Sequence, residues 1–417
     1  MLEAERRTSG LYTPAVVNKL NRDFLSKELA FGTAETEAVA RRYNVTSYPS
    51  YLYFNPDGSL LYRRFGQTAD AAQYLKDVAA AKEAQQDPQN LSHLAAEFRR
   101  GNRDVEFLKQ YLLKVRALRL PTEQAVLDAY AQQLPARVFY QPTEVLFVLE
   151  SGPVVGSPAF QLSHLSQKLI DSLYRVLPLP QRMAINSLII NNTMAQAAAT
   201  KNRSLAEKGA SFTRGTWNSD YAKGVRISER DMLNFYRNAK DSTSYLRQAV
   251  IYYERYYLNL PADSVKKTLE ALQASRQRQA AFLSRPNFAA RQRAARQRPT
   301  VAATTGQPVV TAGAVYMSRN NAPASFLQEL NNGAWAIYQT GTRNKNYLSH
   351  ALTWSKRTVD LDPAAYNNDT LAHLLYRLGF YAEAEAREQQ AVALAHQEKT
   401  ATAPYQQTLE KMRKRSL

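Results

Sequence analysis

At 417 residues the chain is long enough for two or three domains, and 45% hydrophobic with 22% charged content is that of a folded protein. No run approaches the ~20 apolar residues of a membrane span. The complete lack of cysteine excludes disulfides, thiolate nucleophiles and thiol redox chemistry.

The opening residues, Met1-Leu2-Glu3-Ala4-Glu5-Arg6-Arg7, have no apolar core and do not read as a signal peptide. Glu35 to Tyr43 reads as a short helix with Val39 and Ala40 on its inner face. Ser50 to Phe54, aromatic around Leu52, suits a buried strand. Asn55-Pro56-Asp57-Gly58 is a turn, because proline presets φ at the first central position and Gly58 supplies a positive φ. Leu60 to Phe65 then completes a β-hairpin. Ala69 to Glu83 has helical periodicity through Ala72, Leu75, Val78 and Ala79, and is expected to pack on that hairpin.

The order helix, proline, strand, turn, strand, helix resembles the C-terminal half of the thioredoxin fold. Tyr43 to Gly58 carries the residues of its proline loop, next strand and turn. The resemblance implies that the bond before Pro49 is cis. It also implies that Tyr48 and Pro49 are substrate-facing residues, with the backbone before the proline pairing with an extended partner chain. Thr13 to Asn21 and Phe24 to Leu29 resemble the helix after the redox dithiol and the following strand in bacterial relatives. In those relatives a Cys-x-x-Cys comes first, and this chain has none. Two readings stand side by side. Met1 is an internal methionine of a truncated thiol–disulfide oxidoreductase, whose relatives are commonly exported to the bacterial cell envelope or periplasm; or the chain is a cysteine-free relative that uses the fold as a binding module. On either, the chain as given is redox-inactive. A strand at Phe24 to Leu29 would then have no neighbour between it and Ser50 to Phe54, leaving backbone groups to be satisfied some other way.

Ala79 to Asn90 is a polar hinge, and from Leu91 to about Arg298 nearly everything reads as helix. Asp104 can cap a helix through Phe107, Leu108, Tyr111, Leu112 and Val115. Pro121-Thr122 opens a helix through Tyr130, and Pro142 sits at another helix start. Further helices are expected at Ala159 to Leu177, Pro180 to Thr200, Glu229 to Ala239, Ser242 to Leu258 and Ala262 to Phe282. Short helices with short turns imply stacked helix pairs. The tyrosines 252, 253, 256 and 257 read as helix packing. Arg276 to Arg298 holds seven arginines and no acidic residue, within a net charge of +18. One reading is polyanion binding, but the stretch matches no nucleic-acid motif, and nucleic acid is not the expected partner. Residues 299–323, rich in Thr, Ala, Gly and Val, read as a linker with a short strand-like piece at Val309 to Met317.

Trp335, Ala351 and Pro363 resemble three positions of a tetratricopeptide repeat, a two-helix unit of ~34 residues. Ala372, Leu375, Gly379, Tyr381, Ala384 and Ala391 match a second unit. Small residues at Ala351 and Ala384 would let paired helices approach, Trp335 and Tyr381 would fill the groove between them, and Thr402 to Arg413 would cap the stack. The expected class is therefore α+β, mostly α. It comprises a partial thioredoxin-like domain (1–84), paired helices (88–298), a linker (299–323) and tetratricopeptide-like repeats (324–417). The five histidines are scattered, none in a metal-ligand pattern, and no phosphate loop or nucleophile elbow is present. No catalytic residue, cofactor or metal is expected. The expected partner is protein, bound by the proline loop or by the helical repeats.

Overall fold

The computed structural model of the chain describes residues 9–30, 32–261, 326–398 and 400–417, with single positions at 263, 267 and 270. The Arg276 to Arg298 stretch, the linker with its strand-like piece, and most of the helix expected at Ala262 to Phe282 lie outside them. The described residues are mostly helical, with a single two-stranded antiparallel sheet. They fall into two compact units that divide between Ser228 and Glu229.

The first unit opens with helices α1 (Pro14–Asp23) and α2 (Ala34–Arg42), then strands β1 (Ser50–Phe54) and β2 (Leu60–Phe65), then helix α3 (Ala71–Gln86). The strands pair from Ser50 opposite Phe65 to Tyr53 opposite Tyr62, with a bulge that sets Phe54 opposite Leu60. Gly58 closes the turn at φ +82°, a backbone region closed to most side chains. Alternation gives β1 two apolar faces. Tyr51 and Tyr53 lie with Tyr62 against Val78 and Ala81 of α3 and Leu20 of α1. Leu52 and Phe54 join Leu60 in the core of the helices that follow, with Leu91 and Leu94. The expected boundary near residues 84–88 therefore lies within one continuous core.

Phe24 to Leu29 forms no strand, which corrects the expectation. A strand exists only where a neighbour takes its hydrogen bonds, and among the described residues β1 pairs with β2 alone. Phe24 still packs, its ring edge-on to Tyr53 at 5.4 Å, but Leu25 is fully exposed.

Helices α4 (Leu91–Arg99), α5 (Val105–Ala117), α6 (Gln124–Gln133), α7 (Pro142–Glu150), α8 (Pro158–Ser163), α9 (Gln167–Val176), α10 (Leu179–Ala199) and α11 (Arg203–Gly215) complete the unit. Their starts are chemically marked. Asn90, Asp104 and Asn202 each accept a hydrogen bond from the backbone three residues on, at 3.0 Å, and Pro142 and Pro158 stand in first turns. Leu108, Leu127, Tyr130, Phe139, Leu149 and Ile189 are wholly buried. The single helix expected at Ala159 to Leu177 is two, because Ser166 caps a new start by accepting from Leu169 N at 3.3 Å. Helix α11 had no counterpart in the sequence reading, and α12 (Tyr221–Asn238) begins well before Glu229 and crosses the boundary between the units.

The second unit continues with α13 (Ser242–Tyr253) and a π turn at Glu254–Leu258, then α14 (Phe326–Gln339), α15 (Lys345–Leu361), α16 (Ala365–Leu378), α17 (Tyr381–Gln397) and α18 (Ala403–Arg413). From α14 onward each helix packs on the next. Ala351, Ala372, Ala384 and Ala391 are wholly buried, so small residues do line these contacts. The large rings are buried otherwise than expected. Trp354 is the large, fully buried side chain, at 5.1 Å from the Tyr253 ring. Tyr381 is 42% exposed, resting edge-on to Tyr376, and Trp335 is half-buried. Tyr252, Tyr253 and Tyr257 are buried, as the packing reading requires.

Candidate functional site

The loop before β1 carries the residues the sequence singles out. Helix α2 is capped by Thr33, whose hydroxyl accepts from Thr36 N at 3.2 Å. The helix ends at Tyr43, where Asn44 turns the chain at φ +50°. Thr46, Ser47, Tyr48 and Pro49 are then exposed in succession, Tyr48 by 44%. The Tyr48–Pro49 bond is cis, as the resemblance implies. Two contacts hold the loop to the sheet: the Ser50 hydroxyl donates to the Ser47 carbonyl, and Gly66 N donates to the Pro49 carbonyl at 2.9 Å. At the far end of the hairpin, the Tyr43 hydroxyl donates to Gly58 O at 2.9 Å and Arg63 donates to the Tyr43 carbonyl.

The tyrosines on the hairpin are held neutral. Burial raises the hydroxyls of Tyr51 and Tyr53, the latter to about 12, with Tyr74 beside the first and Asp77 beside the second adding to it. Neither supplies a phenolate at neutral pH. What the loop can do chemically is present an extended backbone, an aromatic ring at Tyr48, and the edge of β1 away from β2, which pairs with no strand among the described residues.

Elsewhere in the first unit, Phe160, His164, Tyr174, Arg182 and Phe212 line an open cleft of about 550 Å³. The Tyr174 hydroxyl donates to Asn186 Oδ1 at 2.7 Å across it. His164 Nδ1 lies 3.1 Å from the Ser163 hydroxyl, but that hydroxyl is buried and is 2.9 Å from the Phe160 carbonyl oxygen, to which it donates.

The second unit holds a polar cluster that sequence reading missed. Asp369 and His373 stand one turn apart on α16, and Glu388 comes from α17. One donor atom of each lies within 4.8 Å of the others. His373 Nδ1 is 2.9 Å from the Asp369 carbonyl oxygen and 3.4 Å from Asp369 Oδ1. The rings of Trp335 and Tyr338 meet the imidazole edge-on at 5.0 and 5.1 Å. Glu388 is wholly buried, and neither carboxyl oxygen has a hydrogen-bond donor. Burial, with Asp369 beside it, pushes this carboxyl up to about 9. His373 therefore stands with two carboxylates, which corrects the expectation that no histidine lies in a metal-ligand pattern; His350 Nδ1 also meets Glu254 Oε1, at 2.6 Å. A signal was present. Ala384, Ala391 and Ala395 form the buried stripe of α17, and Glu388 is the charged residue set within it.

No protein-family model and no curated protein matches the chain.

Proposed function

We propose that the protein is a redox-inactive, thioredoxin-like and helical-repeat protein that works by binding other polypeptides. The observation that carries this is the run of exposed residues from Thr46 to Pro49 leading into β1, whose outer edge pairs with no strand among the described residues. An exposed strand edge is a ready acceptor for an extended segment, because main-chain hydrogen bonds supply affinity and alternate side chains supply selectivity. Tyr48 and Pro49 are the residues such a segment meets first. The order of α2, cis-proline loop, β1, β2 and α3 supports the thioredoxin-like assignment, and the stacked α14 to α17, with Ala351 and Ala384 buried, support the tetratricopeptide-like one. With no cysteine, disulfide exchange has no nucleophile.

The test replaces Tyr48 with a photo-crosslinking amino acid, and as a control does the same at exposed Arg99 on α4. Capture of a polypeptide through position 48 and not through position 99 is expected, with no reduction of insulin disulfides by the purified chain. Equal capture at both positions, or measurable reductase activity, rejects the proposal. A partner that is retained by residues 324–417 and tolerates Pro49→Ala moves the binding function to the repeats.

A further inference from the structure

The Asp369, His373 and Glu388 cluster belongs to no feature that peptide capture at the hairpin would use. Its chemistry is specific. A wholly buried carboxyl whose two oxygens meet no donor is costly unless a cation or a proton joins it. Here that carboxyl faces a second carboxylate and an imidazole, held in orientation by Trp335 and Tyr338. His373 Nδ1 lies 2.9 Å from the Asp369 carbonyl oxygen; donating there, it would fix the ring and leave Nε2 as the ligating nitrogen.

We propose that Asp369, His373 and Glu388 bind one divalent transition-metal ion, with Zn²⁺ the best match. One imidazole nitrogen and two carboxylate oxygens suit a borderline ion, whereas Ca²⁺ and Mg²⁺ ask for a fuller shell of oxygens. A dication balances the two carboxylates. Around Zn²⁺, ligand atoms at ~2.0–2.2 Å stand roughly 3.4 Å from one another. Donors now within 4.8 Å reach that spacing by small side-chain rotations. The Asp369 side chain is 21% exposed, which gives the ion its entry and leaves a fourth position to water. Two ligands come from α16 and one from α17, so the ion ties these helices together.

The experiment titrates the full chain, freed of metal by chelator, with Zn²⁺ at pH 7.5 by calorimetry, and repeats the titration with Co²⁺ by visible absorption. One Zn²⁺ per chain, a Co²⁺ ligand-field band and a raised melting temperature are expected. Glu388→Gln keeps the shape of the carboxyl and His373→Asn removes the imidazole. Each is expected to weaken Zn²⁺ binding by at least about 100-fold, since losing a ligand costs no less than losing an outer residue that supports one, with helical content checked by circular dichroism. A wild-type chain that takes up no Zn²⁺ at micromolar concentration overturns the proposal. So does binding that survives both substitutions, which would place the ion on the other histidines.

Discussion

Arg64 of β2 reaches the carboxylate of Asp77 on α3 at 3.3 Å, and Asp77 is wholly buried. The same carboxylate accepts from the Tyr62 hydroxyl at 3.0 Å and from Gln73 Nε2 at 3.2 Å. One buried acid thus fastens the second strand to the helix beneath it. Asp77→Ala leaves the Arg64 guanidinium without its partner, and breaking a buried pair from one side costs about 3–5 kcal/mol. Asp77→Asn retains an acceptor for Tyr62 and is expected to cost less. The urea midpoint of the transition that reports the hairpin checks both. An unchanged midpoint for Asp77→Ala would show that the pair does not hold the sheet.

The hairpin was legible residue for residue because two independent signals agree there, the aromatic strands and a turn with proline and glycine in their required places. Phe24 to Leu29 misled because a strand is a property of two partners, and local sequence reports only one. The break between α8 and α9 was carried by Ser166, a capping residue masked by the apolar rhythm of Leu169, Ile170 and Leu173 that continues beyond it. Trp335 and Trp354 show the limit of repeat patterns. Such a pattern fixes position along a helix but does not say which large ring the tertiary packing will bury. Glu388 lay open to view in an alanine stripe. Its neighbours Asp369 and His373 could be joined to it only by folding α17 back on α16.

Gly333 on α14 lies beneath the ring of Tyr253, where an added Cβ would come within 2.6 Å of ring carbons. Tyr253 in turn packs on Trp354. The ring is buried and packs on Trp354, so making room for the methyl shifts that packing. Gly333→Ala is expected to destabilise the second unit by about 1–3 kcal/mol, the scale of overpacking, despite alanine's better helix propensity. Thermal unfolding followed by tryptophan fluorescence in a Trp217→Phe background reads this, since the other two of the three tryptophans, Trp335 and Trp354, lie in that unit. A melting temperature equal to or above that of the parent would contradict it.

In the first unit the Tyr130 hydroxyl donates to Glu144 Oε1 at 2.6 Å, and Lys109 Nζ stands 3.4 Å from the other carboxylate oxygen. This joins α6 to α7 within the helical core. Tyr130→Phe keeps the ring against Phe147, now edge-on at 5.5 Å, and removes only the hydroxyl. A hydrogen bond to a charged group contributes about 1.5–3 kcal/mol, and a loss near the lower end is expected because Lys109 remains. A double-mutant cycle with Glu144→Gln should show coupling between the two positions. Additive effects would assign the loss to something other than this bond.

His164 gives the first unit an acid sensitivity. Its ring stacks on Phe160 at 4.0 Å, Nδ1 lies 2.8 Å from the Phe160 carbonyl oxygen, and Asp171 and Arg182 share the cleft that it lines. Burial lowers its pKa below the ordinary value of 6.5, more than the hydrogen bond to Phe160 raises it. Below that ordinary value the unfolded chain takes up a proton that the folded chain resists. Stability is therefore full above the ordinary histidine pKa and falls as pH drops from there to the lowered folded value. The denaturation midpoint of the first unit should decline across that window, and His164→Gln should flatten this part of the decline. An NMR titration of the His164 ring should give a midpoint under 6.5. A midpoint at or above it would place the imidazole in a hydrated setting and remove the basis for the acid sensitivity.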